Sequence, residues 1–319
     1  MLNVLNDLNV LNEMIIPPYL HKGDTIGLVC PAGFMPLEKA QTAIDTLQQW
    51  GFKVKTGKTV GSESKNYFSG TDEERLNDLQ EMMDDKHIKA ILCARGGYGT
   101  GRIIDKLSFK KFKKNPKWII GFSDITVLHS HLYSNYKIAS LHAPMAAAFN
   151  DEEYKNEYVQ SLYLALVGTK ANYKCETHEF NKAGIAEGRL AGGNLALLAH
   201  LVGTSSDINT KNKILFIEDI GEYIYNVDRM MYQLKRSGKL EKLAGLILGK
   251  FSDMKDTERP FGQTAEEVIR DVVKDYDYPV CFNFPVSHDK ENYALKIGVK
   301  YTLTVDAVVS LNESSNLSK

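Results

Sequence analysis

Between Thr25 and about Asn150, short apolar runs alternate with helical patterns. The runs are Thr25–Cys30, Phe52–Lys55, Ala90–Ala94, Trp118–Phe122 and Ile138–Leu141. Helical stretches fall near Leu37–Trp50, Asp72–Asp84, Gly101–Leu107 and Asp124–Tyr133. Apolar strands alternating with helices predict a parallel sheet covered on both faces. Such sheets bind ligands at the carboxyl ends of their strands, so chemistry is expected there. Residues 151–182 are polar, charged and weakly periodic, and read as a linker with a short helix near Glu153–Val167. A second unit, 183–319, follows. Its expected strands are Ile185–Leu190, Ile214–Glu218, Ala244–Lys250, Val280–Phe284 and Tyr301–Val305. Its expected helices are Asn194–Val202, Val227–Ser237 and Thr264–Lys274. The polar terminus SLNESSNLSK reads as frayed.

A chain of 319 residues is long enough for two cores, and 43% apolar with 25% charged residues is ordinary for a globular protein. Lys and Arg number 39 against 40 Asp and Glu, a net charge of −1. That balance offers nothing to nucleic acid or an anionic membrane surface. No apolar run approaches the ~20 residues of a membrane span. The start, MLNVLNDLNVLNEM, has neither a positive n-region nor a small-residue cleavage site, so no secretory signal is expected. Residues 1–15 read as an extension, with Met14 as an alternative start. The four cysteines form no C-x-x-C pair and read as free thiols of a reducing, cytoplasmic compartment.

Four segments hold candidate chemistry. In KWIIGFSDIT (117–126), a strand ends and a helix begins, with Ser123 on the turn. A serine there is lifted out above the sheet, and the first helix amides stabilise charge developing nearby. Ile125 breaks the G-x-S-x-G pattern, and Ser123 is equally readable as an N-cap. In AILCARGGYGTGR (90–102), Arg102 stands where G-x-G-x-x-G needs glycine, which argues against a dinucleotide site. The glycines either bring amides such as that of Gly97 to a substrate carbonyl, together with the amide of Asp124, or simply make a tight turn. Glu218 and Asp219 end an apolar strand, where carboxylates orient a histidine, bind a metal or face solvent. His288 sits on a loop after a strand. His129 and His131, two apart on a helical pattern, diverge, and no H-E-x-x-H or Cys/His cluster appears, so no metal or cofactor is expected.

GDTIGLVCPAG, RGGYGTGR, GFSD, LHAPM, GRLAGGNLALL, IEDIGEYIYNVDRMMYQL and FPVSH follow one another in order between residues 23 and 288. Together they resemble the LD-carboxypeptidases, also called muramoyltetrapeptide carboxypeptidases. The resemblance runs from about Lys22 to Val305. It implies an α/β fold: an N-terminal flavodoxin-like parallel-sheet domain with the nucleophile, and a smaller C-terminal α/β domain supplying acid and base across a cleft. By position the nucleophile is Ser123, the acid Glu218 and the base His288. The oxyanion donors are the amides of Gly97 and Asp124. The implied activity is metal-free release of terminal D-alanine from murein tetrapeptide by a cytoplasmic homodimer acting in cell-wall recycling. The family has glycine before its histidine, and this chain has Ser287.

A free terminal carboxylate needs a cationic or amide-rich pocket, for which Arg95, Tyr98 and Asn194 are candidates. Arg95 is equally readable as half of a buried ion pair. Two rival functions share the motifs. One is a microcin-immunity-type peptidase of the same family, acting on peptidyl-nucleotide conjugates, for which a stacking aromatic would speak; the linker holds tyrosines but no tryptophan. The other is a non-catalytic muropeptide-binding protein, against which the Ser/Glu/His set argues.

Overall fold

The computed structural model describes residues 13–151 and 155–314. Five parallel strands build the first sheet: β1 (Thr25–Val29), β2 (Lys53–Thr56), β3 (Ile88–Cys93), β4 (Trp118–Gly121) and β5 (Ser140–His142). Their spatial order is β2-β1-β3-β4-β5, the flavodoxin order. The central strands are buried on both faces, as covering helices require. Those helices are α1 (Leu37–Gln49), α2 (Asp72–Asp84), α3 (Lys110–Lys114) and α4 (Thr126–His131). Thr71 and Glu74 form a reciprocal capping box at the start of α2. The helix expected over 101–107 is instead two 3₁₀ turns, Thr100–Arg102 and Ile104–Lys106, with Gly99 and Gly101 disfavouring a helix start there.

Next come α5 (Glu157–Leu166) and strand β6 (Asn172–Glu176), both inside the stretch that reads as a linker. The rest comprises β7 (Gly184–Asn194), α6 (Leu195–Leu201), β8 (Lys213–Ile220), α7 (Ile224–Arg236), β9 (Gly245–Ser252), α8 (Ala265–Val273), β10 (Val280–Cys281), β11 (Leu295–Ile297), β12 (Lys300–Val305) and β13 (Val308–Glu313). The second sheet runs β10-β9-β8-β7-β12-β13-β6. Its β7–β10 half is parallel and its β12-β13-β6 half antiparallel. Strand β11 leaves this sheet and pairs antiparallel with β5 of the first. The segment expected to fray carries β13 up to Glu313, since Val309 and Leu311 alternate inward; residues 315–319 lie outside the described residues.

At the other end, Ile15 pairs with Ile138 and Met14 packs on the core. Of the expected extension, residues 1–12 lie outside the described residues. One continuous apolar cluster runs through both sheets, from Ile26 and Leu92 to Phe216 and Leu303. A second, around Ile91, Ile119 and Leu128, covers the other face of the first sheet. The two cores therefore divide by sheet face and not by domain. No helix among the described residues is long and apolar enough to cross a membrane.

Candidate active site

Ser123 follows β4 and opens a 3₁₀ turn, Ser123–Ile125, that leads into α4. Its φ is +62°, left-handed backbone that a side chain occupies at a cost of about 1–2 kcal/mol. Its side chain caps no helix, which disposes of the N-cap reading. The turn is braced from below. The Asp124 carboxylate is buried and accepts from the Thr100 N–H at 2.8 Å. Burial raises its pKa, opposed by hydrogen bonds from Thr100 and Gly99 and by the Arg75 charge.

The RGGYG loop after β3 lies against this turn. A Cβ on Gly96 would sit 2.9 Å from Ser123 Cβ. Gly97 has φ +97°, which only glycine adopts readily, and no acceptor among the described residues takes the N–H of Gly97 or Asp124. Arg75, wholly buried on α2, grips the loop from behind. Its guanidinium donates to the carbonyls of Pro31, Gly70 and Gly99 and pairs with Asp72. One planar fork thus ties three loops at the carboxyl edge of the first sheet.

In the second domain, β8 and β9 change register between Ile217 and Asp219, so Glu218 lies at a bulge. Opposite it, a Cβ on Gly249 would fall 2.1 Å from the Val286 carbonyl and 3.0 Å from Glu218 Cβ. The missing side chain lets the 284–288 segment run directly beside Glu218, with Lys250 N–H donating to Val286 O at 3.2 Å. His288 Nδ1 then meets Glu218 Oε2 at 2.6 Å, with Glu218 0% exposed. Burial alone would lower the His288 pKa. The Glu218 hydrogen bond and charge, with Asp219 and Asp289, outweigh it and raise the pKa above 6.5. Ser287, where the family has glycine, is buried and closes the loop: its hydroxyl donates to Glu291 O and accepts from Asp289 N–H.

Phe122 joins the halves. Its ring lies edge-on to His288 at 4.9 Å, and both line a cavity of about 480 Å³. A second tie is Asn194 N–H donating to Thr126 Oγ1 at 3.1 Å. Met35, Pro36, Met145 and Ala148 supply apolar walls; Lys39, Arg95, Asp151 and Asp289 supply charge.

Of the candidate pocket residues, Arg95 lines this cavity. It is exposed, and its Nη1 donates to Phe34 O at 2.6 Å in place of the alternative ion pair. Tyr98 is 53% exposed and packs on Phe68, outside the cavity lining. Asn194 is buried, caps α6 and donates to Asp219 at 2.8 Å, so it supports the acidic strand end and does not line the cavity. Asp219 accepts from Asn194, Ala196 and Ile220; burial and then Glu218 raise its pKa to about 6. Sequence reasoning missed Gly249, Phe122 and Arg75. A glycine inside a strand does signal a bulge, but the contacts of Phe122 and Arg75 are set by distant segments. Among the described residues no His, Cys, Asp and Glu side chains cluster as a metal site.

A left-handed serine at a strand end and an imidazole paired to a buried carboxylate are the parts of a serine hydrolase. Comparison with known proteins agrees. Residues 26–143 match the LD-carboxypeptidase N-terminal domain and residues 187–303 its C-terminal domain. The chain belongs to the LD-carboxypeptidase family of serine peptidases, and it is an enzyme of that hydrolase class. It is 38% identical over 287 residues to a protein of Bacillus subtilis named a probable murein peptide carboxypeptidase, covering 89% of this chain and 90% of that one. It is 27% identical to the microcin C7 self-immunity protein of Escherichia coli, over 89% and 91% of the two chains. The crystal structure of muramoyltetrapeptide carboxypeptidase from Oxalobacter formigenes superposes with a TM-score of 0.82 at 29% identity, covering 91% of this chain and 99% of that one.

Proposed function

We propose that the protein is a carboxypeptidase that hydrolyses the bond before a terminal D-alanine in murein tetrapeptide, with Ser123, Glu218 and His288 as its catalytic triad. The observation that carries this reading is the 2.6 Å contact of His288 with buried Glu218 beside the Ser123 turn. Ser123 Oγ attacks the scissile carbonyl while its proton passes to His288. Glu218 holds the imidazole by Nδ1 and stabilises the imidazolium. The amides of Gly97 and Asp124 take the oxyanion. His288 returns the proton to the leaving D-alanine amine, and water, deprotonated by the same base, releases the acyl group from Ser123.

Lys39 and Arg95 on the cavity wall suit a substrate bearing carboxylates. A second reading, cleavage of peptidyl-nucleotide conjugates, is favoured by the microcin-immunity relative. Against it, among the described residues Phe122 and His288 are the aromatic rings lining the cavity, and they pack on each other. Incubation with murein tetrapeptide, followed by mass spectrometry, tests the proposal. Released D-alanine is expected; cleavage of an aminoacyl sulfamoyl nucleoside with the tetrapeptide left intact would overturn it in favour of the second reading.

A further inference from the structure

One polar group at the cavity is not used by this chemistry. Asn292 is 3% exposed and lines the cavity on the same loop as His288. Its Oδ1 lies 3.3 Å from Nε2 of His142, which is wholly buried. A carboxamide oxygen only accepts, so in this arrangement the His142 proton sits on Nε2. Burial, with the neighbouring His129 and His288, holds the His142 pKa well below its ordinary value and the ring neutral. A neutral imidazole has one N–H, here spent on Asn292, and its Nδ1 has no partner. His142 is itself held between the rings of Phe122 and Phe216 at 5.7 and 5.0 Å. In this arrangement the Asn292 amide turns its oxygen toward His142. Its Nδ2 is buried and has no partner among the described residues. Native chains keep few buried donors without acceptors, and beside a cavity a ligand is one source of the missing acceptor.

We propose that Asn292 Nδ2 donates a hydrogen bond to an acceptor oxygen of the bound peptide and so helps determine which peptides seat beside Ser123. This rests on the peptidase reading above. Near the scissile bond, the terminal carboxylate and a backbone carbonyl present such an oxygen.

Calorimetric binding of murein tetrapeptide to the full chain carrying Ser123→Ala tests it at mildly alkaline pH, with Asn292 intact, Asn292→Ala or Asn292→Asp. Asn292→Asp keeps an oxygen toward His142 and turns the donor into an acceptor. We expect Asn292→Ala to raise Kd about tenfold and Asn292→Asp to raise it further. With Ser123 restored, kcat/KM should fall more than kcat, a split that a merely structural residue does not produce. Should either variant fail to fold, Asn292→Ser replaces it. A tetrapeptide ending in D-alaninamide separates the two oxygens: the loss from Asn292→Ala shrinks if the partner is the carboxylate and persists if it is a carbonyl. Unchanged Kd in folded variants of a chain that still cleaves the tetrapeptide would overturn the Asn292 assignment alone. A chain with Asn292 intact that neither binds nor cleaves it would overturn the peptidase reading, and this assignment with it.

Discussion

Ser123 combines a reactive position with backbone that glycine would hold more comfortably. Ser123→Ala keeps the left-handed strain and loses the proposed nucleophile, so turnover should fall on the order of 10⁴-fold or more. Ser123→Gly should be equally inactive yet melt higher than Ser123→Ala, because glycine relieves the strain. Thermal melts of the two variants check this; an equal or lower melting temperature for Ser123→Gly would show that the turn is not strained. At His288 the sign follows from its raised pKa. As the proposed base it works only when neutral, so the acid limb of kcat/KM should lie above pH 6.5, with activity rising as pH passes through it. Removing the Glu218 charge leaves burial as the main influence. The acid limb of Glu218→Gln should therefore move to lower pH, with a lower plateau, and a pH–rate profile reads both.

At the scale of elements, the pairing of Glu218 with His288 depends on the fit of strand β9 against the loop that carries His288. Gly249 has no room for a methyl group, since the atom in its way is the Val286 backbone oxygen. Gly249→Ala must push that loop outward, and with it His288. The expected loss is about 2 kcal/mol of stability, the scale of overpacking in a core, and a larger fractional loss of kcat. Urea denaturation and steady-state kinetics measure the two. Wild-type kcat in this variant would mean that the loop tolerates displacement and that the contact is not what positions the imidazole.

Across the whole molecule, the sheets are joined by more than the cleft. Lys296 on β11, in the first sheet, pairs with Glu313 on β13, in the second, at 3.0 Å, with side chains 1% and 6% exposed. The ammonium also donates to Thr169 O and lies 4.8 Å over the Tyr19 ring. Removing one partner strands a buried charge, which costs about 3–5 kcal/mol. Lys296→Met should destabilise by that amount, and Lys296→Met with Glu313→Leu by much less. Denaturant titrations should show one transition in the unaltered chain, because the apolar cluster is continuous across both sheets. Two separate transitions would mean that the sheets unfold independently.

Much of this was legible along the chain. Apolar runs bounded by helical patterns located β1, β3, β4, β8 and β9, because buried parallel strands are continuously apolar whatever surrounds them. The strings RGGYG, GFSD and IEDIG located the strand ends that carry candidate chemistry. β6, β11 and β13 were hidden: β6 and β11 are edge strands, and β13 buries only alternate positions, which acquire meaning only against a neighbour. The same holds for the site. Ser123, Glu218 and His288 lie at or after expected strand ends, where each had other readings, and the family resemblance singled them out. That His288 faces Glu218 and that Asn194 supports Asp219 and stays out of the cavity were decided by the bulge at Glu218, the gap at Gly249 and the packing of one sheet on the other. Local sequence sets which conformations a segment favours. Which side chains share a cavity is set by contacts between segments far apart in the chain, and only the tertiary structure holds those.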